Sequence, residues 1–348
     1  MTSMISEAWT GPGRKDGTIT VFKPEHDALH IDMNKKGNTE WWYFDARLDN
    51  GFMVVGFFRA KHERTGKTGV EITIYKPDGK KIQNVYDYSR EDLKVTRKDA
   101  NLSIGKNFIK VDYTNEKLPF YEIYLDEGDY GIHLKYKAIV QSWIPGNGYT
   151  QFGNMGHFGW CVPLPRAEVE GTIKVDGETI SVKGIGYHDH NWLSFSLVRI
   201  VEYWYWGRIY SENFTIIFAF IKCNKKMDDY KIKVLMLAKD EKILESTGEY
   251  EILQEEFQFN EVVNNSYPRV LSFSNGDQMN ITLQVQEIID AENLLFELSP
   301  ILRFVVKYLL RMKPGYFRLN SKFNIEVVLD GKSYKEQGTT LHEMVIAK

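Results

Sequence analysis

Glu40-Trp41-Trp42-Tyr43-Phe44-Asp45-Ala46-Arg47-Leu48 is followed by Asp49-Asn50-Gly51 and then by Phe52-Met53-Val54-Val55-Gly56-Phe57-Phe58. Two runs rich in aromatic and β-branched residues flank a turn signal, which is the pattern of a β-hairpin. The pattern recurs down the chain. Val70 to Tyr75 and Lys80 to Val85 flank Pro77-Asp78-Gly79, and Val169 to Val175 and Thr179 to Val182 flank Asp176-Gly177. Val270 to Phe273 and Met279 to Val285 flank Asn275-Gly276-Asp277, and Phe323 to Leu329 and Ser333 onward flank Asp330-Gly331. Short strands with tight turns, without alternating long helices, exclude a doubly wound parallel sheet and predict barrels or sandwiches. The fold class expected is all-β, built from two consecutive β units. Residues 1–20 form a loose lead-in, 21–192 the first unit and 193–348 the second.

One segment departs from this pattern. Ser299-Pro300 resembles a helix start, and Ile301, Leu302, Val305, Val306, Leu309 and Leu310 follow at helical spacing. Arg303, Lys307 and Arg311 stand on one side, so an amphipathic helix over 299–313 is expected. It either packs on a barrel or makes weak contact with a membrane surface.

Composition narrows the function. Aromatic residues make up 14% of the 348 residues, which suits β structure and an aromatic-lined interior. A net charge of −3, with no basic arm, gives no reason to expect nucleic acid as a partner. Cys161 and Cys223 are too few for a disulfide framework, so reduced thiols in a cytoplasmic setting are expected. The opening residues have no basic and apolar pattern of a secretory signal. No apolar run approaches the roughly 18–20 residues that span a bilayer.

The densest chemistry lies in Gly186-Tyr187-His188-Asp189-His190-Asn191-Trp192. In a strand alternate side chains share a face. His188, His190 and Trp192 then point one way, and Tyr187, Asp189 and Asn191 the other. In the first motif Glu40, Trp42 and Phe44 share a face opposite Trp41, Tyr43 and Asp45. Over 202–210, Glu202, Trp204, Trp206, Arg208 and Tyr210 share a face suited to a cavity wall. The His-Asp-His segment admits three roles. It could hold a metal through His-x-His, although a third ligand at local spacing is missing. It could be a satisfied buried acid at a strand corner. It could do acid–base work, because an Asp in aromatic surroundings has a raised pKa. Gly146-Asn147-Gly148 and Gly153-Asn154-Met155-Gly156 precede no helix pattern and suit loops better than a phosphate cradle. His133 and His157 suit structural or surface roles. Cys161 lacks a triad context, and no Gly-x-Ser-x-Gly is present.

Taken together, Glu40 to Phe44 and Gly186 to Trp192 resemble the paired signatures of the carotenoid 1,2-hydratase (hydroxyneurosporene synthase) and AttH-type lipocalin-like superfamily. Pro165 to Gly171, Trp204-Tyr205-Trp206-Gly207-Arg208, Tyr316-Phe317-Arg318 and Gly338 to Glu343 fit the same resemblance, which runs from about Glu40 to Glu343. It implies two consecutive lipocalin-like domains with a substrate cavity near their junction. It also implies a hydratase, a Diels–Alder-type cyclase or a relative without assigned activity. The family's His-x-Trp maps onto His190 and Trp192, with Leu193 where relatives often have Gly.

The function expected on these grounds is protonation of a C=C bond in a lipophilic, isoprenoid-like molecule, followed by hydration or cyclisation. Asp189 is the expected donor and Glu40 the reserve, with His190 and His188 as positioning or proton-accepting groups. Trp41, Trp42, Tyr43, Trp192, Trp204, Trp206, Arg208 and Tyr210 are the expected substrate contacts. No organic cofactor, metal or protein partner is expected. The alternatives are a non-catalytic carrier of an apolar ligand and a pericyclic cyclase working by shape alone.

Overall fold

A computed structural model describes residues 5–9, 18–297 and 313–347. The helix expected over 299–313 lies outside the described residues, apart from Lys313. The chain divides into two compact units, residues 1–196 with 240–243, and residues 197–239 with 244–348.

The first unit carries a 13-stranded antiparallel sheet. Its main path runs from Lys81–Tyr88 through Thr68–Tyr75, Met53–Lys61 and Thr39–Leu48, and then crosses to Glu178–Leu193. It continues through Gly156–Val175, Tyr130–Ala138, Phe120–Glu127, Asn107–Asp112 and Leu102–Ile104 to Leu93–Val95. This is an up-and-down meander in which a late strand, Glu178–Leu193, returns to pair with an early one, Thr39–Leu48. The nine-stranded sheet of the second unit follows the same plan. Its last strand, Lys332–Ile346, pairs with its first, Val201–Tyr210, and the path ends at Lys242–Thr247 and Glu251–Asn260.

The five expected hairpins all form. At Asp176-Gly177 both turn residues have positive φ, 54° and 83°, the backbone that a two-residue hairpin needs and that Asp and Gly tolerate. The strands around this turn are much longer than the sequence pattern suggested, at 20 residues for Gly156–Val175 and 16 for Glu178–Leu193. Pro163 and Pro165 interrupt the sequence signal because they lack the N–H a ladder uses. The strand runs through them by shifting register between Cys161 and Leu164 and again between Leu164 and Ala167.

Alternation fixes which residues enter each core. Trp42, Phe44, Ala46 and Leu48 point into the apolar cluster of the first unit with Val54, Phe58, Ile72, Ile123 and Leu134. In the second unit Tyr205, Ile209, Phe218, Phe273, Leu283 and Phe317 form a separate cluster. Among the described residues no helix is long and apolar enough to cross a membrane.

Candidate active site

The two motifs lie side by side as paired strands. Trp42 is opposite His190, Tyr43 opposite Asp189 and Phe44 opposite His188. As neighbouring strands of one sheet they do not face each other across a chamber. On the inner face their side chains fill the space between them. The Trp42 indole stacks on the His190 imidazole at 4.4 Å, and Phe44 stacks on His188 at 3.9 Å. His188, His190, Trp42 and Trp192 are all fully buried.

This inner face holds a closed ionic cluster. His190 Nε2 lies 2.8 Å from Glu40 Oε1, and His190 Nδ1 lies 3.2 Å from Asp27 Oδ1. Glu40 also accepts the backbone N–H groups of His30 at 2.8 Å and Ile31 at 2.9 Å. Asp27 Oδ2 accepts the Tyr121 hydroxyl at 2.6 Å and lies 3.1 Å from His188 Nε2. His188 Nδ1 lies 2.9 Å from the Tyr43 carbonyl. Burial alone would lower the pKa of His190, but the nearby carboxylates of Asp27 and Glu40 outweigh it and hold it at about 9. Burial likewise opposes ionisation of Asp27, yet the charge and hydrogen bond of His188, together with the charge of His190, keep its carboxyl below the usual range. Towards the edge of the cluster His30 lies on Trp192, with its pKa lowered to about 4 by burial and then by the charge of His190.

Asp189 belongs to the other face. The pairing of Gly184 to Leu193 with Thr39 to Leu48 runs without a bulge, so nothing turns Asp189 towards His190. Its carboxylate oxygens accept from Trp160 Nε1 at 3.1 Å, the Tyr187 hydroxyl at 2.9 Å and Asn191 Nδ2 at 2.8 Å. All three donors are neutral. Burial dominates and raises the pKa to about 6, despite those hydrogen bonds, and the charge of Asp45 adds to the rise. Asp45 itself accepts the Tyr43 hydroxyl at 2.7 Å. Trp41 and Tyr43 share this outer face.

In the second unit Trp204, Trp206, Arg208 and Tyr210 share one face of Val201–Tyr210, as alternation requires. The Arg208 guanidinium lies over the Trp206 ring at 5.6 Å and over Tyr210 at 5.5 Å.

Asp27, His30, Tyr121 and Cys161 complete the inner cluster, and sequence reasoning missed the first three as site residues. Asp27 and His30 lie in Pro24-Glu25-His26-Asp27-Ala28-Leu29-His30, where the concentration of titratable groups after a proline was a usable signal. Tyr121 carried none. For Cys161 the sequence offers only the absence of a triad context. Among the described residues, Asp27, Cys161 and His190 are one group whose donor atoms come close enough to hold a metal ion, within 4.8 Å of one another.

A putative AttH from Nitrosomonas europaea superposes on 94% of this chain and 97% of its own, with a TM-score of 0.63 at 14% identity. A Diels-Alderase-like family model matches residues 135–275, a span that includes both the Asp189 strand and the Trp206 strand. The chain thus has the fold of that AttH-type protein. Two further solved structures share the fold. CghA superposes with a TM-score of 0.62 at 11% identity, over 94% of this chain and 96% of that one. Kievitone hydratase from Nectria haematococca gives 0.54 at 15% identity, over 94% and 98%. In sequence, a hydroxyneurosporene dehydrogenase of Chlorobaculum tepidum is 23% identical over 227 residues. That alignment spans 53% of this chain and 57% of the relative, little more than half its length.

Proposed function

We propose that this AttH-like protein is an enzyme that protonates a C=C bond of a lipophilic, unsaturated small molecule, leading to hydration or cyclisation. The observation that carries the proposal is Asp189, a buried carboxyl whose hydrogen-bond donors are all neutral. Such a group holds its proton up to about pH 6, well above an ordinary carboxyl, and can give it up. Asp189 remains 6% exposed, whereas His188 and His190 are 0% exposed and have no surface to offer a substrate.

In the proposed step the Asp189 O–H bond breaks and a C–H bond forms at one alkene carbon, leaving the cation on the other. Trp160, Tyr187 and Asn191 then stabilise the carboxylate through the hydrogen bonds they already donate. Water adds to the cation and its extra proton returns to Asp189, or a second double bond of the same molecule attacks and closes a ring, and the proton lost from the ring cation returns to the Asp189 carboxylate. Trp41 and Tyr43 are the aromatic groups on this face that would cover the apolar chain. Trp204, Trp206, Arg208 and Tyr210 are proposed as substrate contacts of the second unit. The similarity to CghA, kievitone hydratase and a carotenoid-related relative supports an unsaturated substrate.

The match to a Diels-Alderase-like family model favours a second reading, ring closure by shape alone. Acyclic isoprenoid polyenes turned over in deuterated water separate the two. Proton-initiated chemistry places solvent deuterium on a product carbon. Pericyclic closure leaves the product unlabelled and indifferent to Asp189→Asn. The cytoplasmic setting, with weak membrane contact through 299–313, stays part of the proposal, and recovery of the protein with sedimented anionic vesicles tests the contact.

A further inference from the structure

The inner cluster takes no part in the proposed reaction, yet its geometry has a use of its own. We infer that Asp27, Cys161 and His190 form a buried site for a divalent transition metal of the zinc class.

Three donors of different chemistry converge there. The thiol sulfur of Cys161, the Nδ1 of His190 and a carboxylate oxygen of Asp27 lie within 4.8 Å of one another, all fully buried. The residues come from three separate places in the chain, so local sequence spacing could not reveal them.

The second observation is the state of the two atoms that face each other. His190 Nδ1 and Asp27 Oδ1 are 3.2 Å apart, but neither has a well-directed hydrogen bond. A ring N–H aimed at the oxygen would satisfy both atoms. A separation of about 3.3 Å is what two light ligand atoms show across a tetrahedral zinc with bonds near 2.0–2.1 Å. An ion seated between them would satisfy both atoms together.

The surroundings are those of a metal site. His190 presents its other nitrogen, Nε2, to Glu40 at 2.8 Å, the carboxylate–histidine–metal arrangement that fixes ring orientation and tautomer. Asp27 presents its other oxygen to Tyr121 and His188, which leaves Oδ1 directed at the cluster. Trp42 packs flat on the His190 ring and holds it in place. Thiolate with imidazole selects zinc-like ions over magnesium or calcium. Binding would displace the His190 Nδ1 proton and the Cys161 thiol proton, which now points to the His26 carbonyl at 3.2 Å. Three protein donors leave the fourth tetrahedral place to water or another small ligand.

The test uses the full chain, unfolded and refolded with Zn2+ or Co2+, then exhaustively dialysed. Bound metal is counted by mass spectrometry. The wild type is expected to keep about one ion per chain, and the cobalt form to show thiolate-to-cobalt charge-transfer absorption in the near ultraviolet. Cys161→Ser and Cys161→Ala should lose that band and most of the metal, whereas Cys223→Ser, whose thiol lies in the second unit, should keep both. Glu40→Gln should weaken retention by about 10–100-fold. Circular dichroism identifies any variant that fails to fold, and the cobalt spectrum of the wild type then decides alone. A wild type that holds no metal after refolding, or a Cys161 variant that folds and binds as much as wild type, would overturn the inference.

Discussion

Asp189 and His190 are neighbours in the chain, and their side chains leave opposite faces of one strand. Asp189 reaches Trp160 and Tyr187, while His190 reaches Glu40 and Asp27. The two residues should therefore fail in different ways when changed.

Asp189→Asn is expected to lower turnover by about 10²–10⁴-fold, the usual contribution of a positioned acid, with the fold intact. His190→Asn should instead cost about 3–5 kcal/mol of stability, because Asp27 and Glu40 then lose their shared buried counter-charge. Turnover measured beside urea unfolding separates the two effects. Wild-type turnover in Asp189→Asn would end the assignment of the acid.

The pH dependence follows from the raised pKa of Asp189. Its folded value of about 6 lies above the ordinary 3.8, so the folded state holds this proton more tightly than the unfolded chain does. The associated stability is complete below 3.8 and is lost as pH rises through about 6. The protonated, active fraction declines over the upper part of the same range. Turnover should fall above pH 6, and Asp189→Asn should flatten the corresponding slope of stability between pH 4 and 6.

His342 gives the opposite sign. It is fully buried in the second unit, with Nε2 2.8 Å from the Ser321 hydroxyl, and burial lowers its pKa from 6.5 to about 3. The unfolded chain takes up this proton first. The stability tied to neutral His342 is present above pH 6.5 and drains away as pH falls towards 3. His342→Gln should make acid unfolding less steep in that window, as followed by circular dichroism.

At Gly159 the backbone passes close to the Trp192 indole. A Cβ there would fall 1.9 Å from Trp192 Cε2 and 2.1 Å from Nε1, so the indole would have to move. Gly159→Ala should destabilise by about 1–3 kcal/mol, the range of overpacked cores. It should also alter the tryptophan emission, because Trp192 can no longer lie flat on His30.

The fold was legible because each hairpin carries its own signal: a two-fold alternation and a turn residue that accepts positive φ, as at Asp176-Gly177. Alternation also placed Asp189 opposite His190 and grouped Trp204, Trp206, Arg208 and Tyr210. What it could not supply was anything set by distant pairing. Asp27, Tyr121 and Cys161 join the cluster only because separate strands and the segment before Thr39 are brought together. The length of Gly156–Val175 was hidden by Pro163 and Pro165, which the strand tolerates by shifting register. That the rings of the two motifs pack on one another on the inner face follows from contacts that no spacing rule encodes.

The return of Glu178–Leu193 to Thr39–Leu48 sets a condition on how this chain is made. During synthesis Thr39–Leu48 leaves the ribosome with one edge satisfied by its hairpin neighbour and the other open, and it must wait for more than a hundred further residues. Until His190 arrives, Glu40 and Asp27 are carboxylates without their cation, beside a bare Trp42. Pairing at such sequence separation is slow and exposes sticky edges in the interval. The contact of Trp42 with His190 is thus among the last that the first unit can make, and the nascent protein is most in need of a chaperone just before it forms.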